Sequence, residues 1–127
     1  LGYENNFLPS SDWQYIGVAA KNLAESIGAD GIIAITRTGK TANYISNSKP
    51  HGIPVFTFTE NKKTLNQLSL VGSTIPFYLT GLFDHEKTLV KVSKILKNFY
   101  KKDNLKFIMV SSIFSEEHSE AIQIINI

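Results

Sequence analysis

The sequence has no cysteine, and it has one tryptophan and one methionine among 127 residues. The absence of cysteine excludes disulfide bonds and thiolate metal sites, so a reducing compartment is allowed. No apolar run approaches the ~18 residues that a membrane-spanning helix needs, and we expect no membrane partner. The length is that of one domain, which at this size buries roughly two-thirds of the surface of its unfolded chain. We therefore expect residues 1–127 to form a single domain, with residues 1–10 as a lead-in segment.

Excess charge of one sign is also missing. The formal net charge is +2, and Arg37 is the only arginine. The lysines are not gathered into a basic stripe interleaved with aromatic residues, which is the pattern of a nucleic-acid surface. Those at positions 91, 94, 97 and 101 fall on one predicted helix, and we interpret them as its solvated face. No nucleic-acid partner is expected.

Four stretches carry apolar residues at the spacing of an amphipathic helix. The first starts at a capping box formed by Ser11 and Gln14, and it ends at Gly28. Its apolar positions are Trp13, Ile16, Ala20, Leu23, Ala24 and Ile27. The second, a short helix, starts at Thr38 and Gly39 and ends before residue 50, which is a proline.

The third and fourth helices each follow a capping residue. Thr59 precedes the third helix, which carries Leu65, Leu68 and Val71, and Asp84 precedes the fourth. The apolar face of the fourth helix is predicted to consist of Leu89, Val92, Leu96 and Phe99.

Continuous apolar runs of strand length alternate with these helices. They cover residues 31–36, 54–59, 74–79, 105–110 and 121–127. Such runs are typical of strands that are covered on both faces in a parallel sheet. Pro76 removes a backbone donor from the third strand and predicts that this strand lies at a sheet edge. Residues 112–120 are too few for a crossover helix, so the last two strands are predicted to pair antiparallel. The predicted fold class is α/β, a three-layer αβα sandwich with a five-stranded, mostly parallel sheet.

Several of these segments resemble the carboxy-terminal domain of pyruvate kinases. They are Ala19-Ala20-Lys21-Asn22-Leu23-Ala24-Glu25, the run Ile32 to Thr36 with the following Arg37-Thr38-Gly39-Lys40-Thr41-Ala42, Lys49-Pro50-His51-Gly52-Ile53-Pro54-Val55-Phe56, and Thr59-Glu60-Asn61 with Thr64 and Gln67-Leu68. The similarity runs from about residue 12 to residue 79 and continues more weakly to the end. The resemblance implies the strand order 3-2-1-4-5 with the last strand antiparallel.

The same resemblance implies a place in a larger enzyme. In that family, phosphoenolpyruvate and ADP react in a preceding TIM barrel with magnesium and usually potassium, and 127 residues cannot supply that barrel. No catalytic residue and no cofactor are therefore expected in this chain, whose partners would be its own barrel and the other subunits of a homotetramer. The implied process is glycolysis. The implied location is the cytoplasm, or an organelle if an upstream targeting segment exists.

Residues 36–41, which we call the threonine loop, join a predicted buried strand to a helix start. There, backbone amides and the helix dipole favour an anion. The candidate phosphate-binding residues are Thr36, Arg37, Thr38, Gly39, Lys40 and Thr41. On the residues alone, an alternative is that Thr38 only caps the helix. The resemblance implies an allosteric effector site, because the matching family loop holds a phosphate of a sugar-phosphate activator.

The predicted loop after strand four is acidic. Residues 112–120 contain Glu116, Glu117 and Glu120 and no glycine, whereas in relatives activated by fructose bisphosphate this loop is glycine-rich. In the implied topology it lies next to the threonine loop, at the point where the strand order reverses. Carboxylates facing a bisphosphate would repel it. We therefore expect fructose bisphosphate to bind weakly, which leaves a monophosphate, another anion or no effector.

Other constellations carry little chemistry. His51, His85 and His118 are predicted to lie in three separate loops without partners at metal-ligand spacing, so no metal site is expected. Two alternatives to a regulatory domain stay open. One is a stand-alone small α/β enzyme or phosphosugar-binding protein that uses the threonine loop, and the other is a structural oligomerisation module without an effector.

Overall fold

The computed structural model describes residues 13–36, 39–48, 50, 52–82, 84–111 and 121–127. Helices and strands alternate along the chain. The elements are α1 (Trp13–Ile27), β1 (Gly31–Ile35), α2 (Lys40–Asn47), β2 (Val55–Thr59), α3 (Lys62–Val71), β3 (Ile75–Tyr78), α4 (His85–Tyr100), β4 (Lys106–Ser111) and β5 (Ala121–Asn126). All nine predicted elements are found. His85 is the first residue of α4, so its predicted place in a loop is wrong.

The strands form one sheet in the order β3-β2-β1-β4-β5, as predicted. The first four strands pair in parallel and β5 pairs antiparallel with β4. Several strands begin or end one residue away from the predicted position. Thr36, for example, was predicted to end the first strand, but it follows β1 without continuing it. The predicted edge position of β3, with Pro76 inside it, is confirmed.

One face of the sheet, which we call the aliphatic face, is covered by α1, α2 and α3. The helices contribute small or medium residues, among them Ala20, Ala24, Ala42, Ile45 and Leu68. From the sheet come Ile32, Ala34, Val55, Ile108 and Val110. Ala20 and Ala24 are fully buried, and side chains of this size let α1 lie close to the strands.

Among the described helices, α4 covers the opposite face, which we call the aromatic face. Its core contains Phe56, Phe58 and Phe107 from the strands, with Val92 and Leu96 from α4. The Phe56 ring centroid lies 6.2 Å from that of Phe107, in an edge-to-face arrangement. Gly31 stands between them, since a Cβ there would lie 2.8 Å from Phe56 Cε2 and 3.0 Å from Phe107 Cε1. Glycine at the start of β1 is thus required by the aromatic packing.

The helix ends correct one prediction and confirm another. The cap of α3 is Asn61, whose side chain accepts from the Thr64 amide at 3.0 Å. Thr59 was the predicted cap, but its hydroxyl instead accepts from the Asn61 amide at 3.2 Å. The predicted cap of α4 is confirmed, with Asp84 Oδ1 accepting from the Lys87 amide at 3.1 Å. Phe99 lies on the predicted apolar face of α4, with its ring centroid 5.2 Å from that of Phe56, although the residue is 50% exposed.

Asp30 ties the amino ends of β1 and β4 to α4. Its carboxylate accepts from the Lys106 amide at 2.9 Å, and its carbonyl accepts from the Tyr100 hydroxyl at 2.8 Å. Partial burial, with a smaller effect of the Asp30 charge, raises the pKa of Tyr100. The hydroxyl therefore stays protonated and keeps donating throughout the physiological pH range.

Candidate functional site

The threonine loop begins at the carboxyl end of β1. In the sheet, β1 lies between β2 and β4, and the chain leaves β1 towards β2 on one side but reaches β4 on the other. The strand order therefore reverses between β1 and β4. In open α/β sheets, ligands bind outside the carboxyl ends of the strands at such a point.

Thr36 anchors the loop to the sheet. Its amide donates to the Phe58 carbonyl at 3.1 Å, and its side-chain oxygen accepts from the Gly39 amide at 2.9 Å. Only 2% of the residue is exposed. A threonine hydroxyl carries one hydrogen besides its two acceptor lone pairs, so Thr36 can still donate while it accepts from Gly39.

Gly39 forms the turn into α2. Its φ angle is +86°, in the region that residues other than glycine rarely adopt. Its carbonyl accepts from the Asn43 amide at 3.0 Å. A Cβ at this position would lie 3.4 Å from Leu68 Cδ2 and 3.5 Å from Thr64 Cγ2. The turn therefore packs against the first turns of α3, and the two helix starts lie close together.

These two helix starts carry lysines. Neither α2 nor α3 has an acidic residue in its first turn, whereas α4 has Glu86 there. Lysines occupy positions 40, 62 and 63 instead. Negative side chains normally stabilise a helix amino terminus by about 0.3–1 kcal/mol, so lysines at this place oppose the dipole. Glu60, directly before the cap of α3, offsets one of these charges, so the lysines leave a smaller excess of positive charge at the two helix starts.

Sequence reasoning missed the second helix start as part of this region. Thr36 and Thr59 follow the pairing of Ile35 with Phe58, so the two threonines lie side by side at the ends of adjacent parallel strands. Both are buried, and both accept from a backbone amide of the turn that follows. The sequence signal was the repeated pattern of an apolar run, a threonine and a lysine-containing helix start.

The predicted site residues have different outcomes. The structure brings Thr36 and Gly39 into direct contact. Lys40 and Thr41 lie in the first turn of α2, with their side chains outside the described residues, and Arg37 and Thr38 lie outside them altogether. The acidic residues at 116, 117 and 120 also fall outside, so their predicted position beside the threonine loop stays a prediction.

Two other features, a metal site and a membrane-spanning helix, are absent from the described part of the chain. No group of three or more histidine, cysteine, aspartate or glutamate residues there could hold a metal ion. The helices described there include none with the length and apolar content for crossing a membrane.

Relatives were found by sequence and by structure. Chloroplastic pyruvate kinase isozyme A of Ricinus communis is 32% identical over 79 residues, which are 62% of this chain and 13% of that protein. Pyruvate kinase of Corynebacterium efficiens is 24% identical over 107 residues, or 83% of this chain and 22% of that protein. A crystal structure of a pyruvate kinase from Cryptosporidium parvum matches with a TM-score of 0.80 and 20% identity, covering 93% of this chain and 23% of that one.

The structural match at this identity shows the shared fold, and the family follows from the sequence. The chain covers 13% to 23% of the length of these three relatives. The family model described as pyruvate kinase, alpha/beta domain, matches residues 14–125, which is nearly the whole chain. This chain therefore belongs to the family of pyruvate kinase alpha/beta domains, the carboxy-terminal domains of those enzymes.

Proposed function

We propose that the chain is the regulatory and subunit-assembly domain of a pyruvate kinase and that its threonine loop binds a phosphate group of an anionic effector. The observation that carries this proposal is the bond from the Gly39 amide to the Thr36 hydroxyl, which folds the loop at the reversal of strand order. The reaction of phosphoenolpyruvate with ADP, and its magnesium and potassium, belong to a barrel outside these residues.

The chemistry of the loop suits a tetrahedral anion. The Gly39 amide is occupied by Thr36, so it fixes the loop instead of contacting the anion. The first amides of α2 have no partner within the helix and can point at the ligand. The remaining hydroxyl hydrogen of Thr36 and the side chains of Arg37, Thr38, Lys40 and Thr41 would complete the donors.

The test is a comparison of thermal unfolding in sulfate and in chloride at equal ionic strength. Binding to the folded state adds about 2.7 kcal/mol to the free energy of unfolding when the free anion concentration exceeds its Kd a hundredfold. Sulfate also stabilises proteins in general by exclusion from their surface, so a variant must serve as the reference. We expect Thr38→Val to lose the sulfate increment and Ser69→Ala, an exposed hydroxyl on α3, to keep it. The same increment in all three proteins would refute the anion site.

The identity of the effector is tested by changing residues 112–120, which we call the acidic segment. Each carboxylate near a bound phosphate opposes it by roughly 1 kcal/mol at a near-surface dielectric. We expect weak binding of fructose bisphosphate to the unmodified chain, and tighter binding to the Glu116→Gln, Glu117→Gln double variant at low salt. Tight binding by the unmodified chain would overturn this account of the segment without affecting the anion site itself.

Assembly is supported by the outer edge of β5. Leu105 and Ile127 exchange two backbone hydrogen bonds, so in an antiparallel pair the amides of residues 122, 124 and 126 point away from β4. Ile124 is 50% exposed. No strand of the described residues pairs with this outer edge. Such an edge is a template for another strand, and a second copy of the chain offers the same edge across a twofold axis.

Replacing Ile124 by proline tests this edge. Proline at an outward-facing position removes a donor for a partner strand and no bond to β4. We expect Ile124→Pro to shift the chain towards monomers in light scattering, and Ile124→Val to leave its mass unchanged. If the Ile124→Pro protein is an oligomer of the same mass as the unmodified chain, assembly uses another surface.

Two alternatives remain within reach of simple measurements. A stand-alone phosphosugar-binding protein would have no barrel-coding region upstream in its gene. A purely structural module would give no response to a panel of sugar phosphates and nucleotides in isothermal titration. Turnover of phosphoenolpyruvate and ADP by the chain, purified free of host enzyme, would contradict the non-catalytic role.

A further inference from the structure

The amino end of α4 lies at the same edge of the sheet as the threonine loop, but on the aromatic face. At the other end of α4, Tyr100 donates to the carbonyl of Asp30, directly before β1, and the Asp30 carboxylate accepts from Lys106, the first residue of β4. The carboxyl end of α4 therefore lies beside the amino ends of these two strands. Its 16 residues span about 24 Å, whereas strands of five or six residues span about 16–20 Å. Because the helix and the strands run in opposite directions, α4 begins at the carboxyl edge, where the strand order reverses.

The loop that leads into α4 is held at this edge by side chains of the helix itself. Thr80 follows β3 by two residues, and its carbonyl accepts from Lys91 Nζ at 3.1 Å. The carbonyl of Gly81 accepts from the Thr88 hydroxyl at 3.4 Å. The next residue, Leu82, is fully buried in the core of the aromatic face. These contacts fix the first two turns of α4 beside the strand ends.

The charges at the start of α4 are already balanced within the chain. Asp84 caps the helix through the Lys87 amide, and Glu86 is exposed in the first turn. A helix amino end carries roughly +0.5 of an elementary charge, which one carboxylate more than offsets. The first two turns contain two lysines, of which Lys87 lies 4.0 Å from Asp84 Oδ2 and Lys91 donates to the loop. Two carboxylates thus balance two lysines that already have partners.

The two sides of this edge therefore differ in what they offer an anion. On the aliphatic side, the starts of α2 and α3 carry lysines at positions 40, 62 and 63, and Glu60 offsets only one of them. On the aromatic side, a ligand that extends from the threonine loop meets the carboxylate of Glu86. A phosphate group carries a charge of about −1.5 to −2 at pH 7. A second phosphate on that side would lie near Glu86 without a lysine left to neutralise it.

We propose that the effector carries a single phosphate group and that Glu86 is a specificity-determining residue that rejects a second one. This inference rests on the proposed binding of a phosphate by the threonine loop. A carboxylate only accepts hydrogen bonds, so the far end of the ligand must supply donors. Hydroxyl groups supply them, whereas an ionised phosphate repels the carboxylate. The class of ligand that fits both sides is the monophosphate of a polyhydroxylated compound, such as a sugar.

The experiment measures the Kd values of fructose monophosphate and fructose bisphosphate by isothermal titration at low ionic strength. We expect the unmodified chain to bind the monophosphate more tightly. Glu86→Gln should tighten binding of the bisphosphate about fivefold, because it removes one charge near the second phosphate and keeps an acceptor. It should leave the Kd of the monophosphate within about twofold. Raising the ionic strength to about 150 mM should shrink the gain, since salt screens exposed charges.

Asp103→Asn is the matched control. It removes the same charge just beyond the other end of α4, where Asp103 Oδ1 lies 3.8 Å from Lys97 Nζ. We expect the ratio of the two Kd values in this variant to equal that of the unmodified chain. An unchanged ratio in Glu86→Gln, or the same change in both variants, would overturn the role of Glu86. Tighter binding of the bisphosphate than of the monophosphate by the unmodified chain would overturn the single-phosphate class.

These outcomes are distinct from a failure of the threonine loop as an anion site. If neither ester binds and sulfate gives no increment in thermal stability beyond that of Thr38→Val, the proposed function itself fails. If the monophosphate binds but the ratio does not respond to Glu86→Gln, the anion site stands and the inference about Glu86 fails.

Discussion

The two faces of the sheet differ in what they contribute. On the aromatic face, Phe56 contacts the rings of Phe77, Phe99, Tyr100 and Phe107, with centroids 5.2 to 6.4 Å apart. The aliphatic face uses alanine, and by strand alternation it also receives the hydroxyls of Thr36, Thr57 and Thr59. Among the described helices, α4 covers the large side chains, whereas α1, α2 and α3 approach the small ones. The candidate site is therefore built on the face with less volume and more polar atoms.

The largest effect is expected on the aromatic face. Phe56 is fully buried, and Phe56→Ala should lower the free energy of unfolding by about 3–5 kcal/mol, because it removes most of the ring contacts and leaves a cavity. Ile45→Val, a loss of one methylene group on the aliphatic face, should cost about 0.5–1.5 kcal/mol. Denaturant unfolding of both variants measures the difference. A loss for Phe56→Ala no larger than that for Ile45→Val would show that the ring contacts of Phe56 contribute little to stability.

A smaller loss of stability is expected when the close packing on the aliphatic face is disturbed. Ala24 is fully buried between α1 and the sheet, and Ala24→Leu should destabilise by about 1–3 kcal/mol through overpacking. Ala19 is exposed on the same helix, so Ala19→Leu should stay within about 0.5 kcal/mol of the unmodified chain. Equal midpoints of urea unfolding for the two variants would contradict close approach of α1.

The same contrast explains what sequence reasoning could reach. Apolar runs such as residues 31–35 are typical of strands in a parallel sheet. The segment 112–120 is too short for a crossover helix and therefore predicts a hairpin. The fold could thus be predicted from pattern and length. The cap of α3 was assigned to Thr59 instead of Asn61 because both residues are good caps, and only the backbone course distinguishes them. The exposure of Phe99 could not be predicted either, since helical spacing gives a direction but not the depth of the neighbouring core.

The candidate site was reached only in part for a related reason. The sequence indicated donors in the threonine loop, but it could not tell that the Gly39 amide is already used by Thr36. Nor could it show that α3 begins beside α2, since that depends on the pairing of β1 with β2. Hydrogen-bond partners three residues apart and across a sheet are properties of the folded backbone, and periodicity does not encode them.

The smallest expected effect is a gain of stability, and it is tested by comparing two threonines on the aliphatic face. Thr57 is fully buried in β2, and its side-chain oxygen has no partner among the described residues, so Thr57→Val should stabilise the chain by about 1 kcal/mol. Thr36 is equally buried but accepts from Gly39, so Thr36→Val leaves a buried amide unpaired and should destabilise by about 1–3 kcal/mol. The two substitutions are chemically identical and keep the side-chain volume, so a difference in sign isolates the hydrogen bond from hydrophobicity. Thermal unfolding in chloride, where no anion site is filled, is the measurement. Stabilisation by both substitutions would show that the bond to Gly39 contributes nothing, and the loop would then lose the feature on which its proposed function rests.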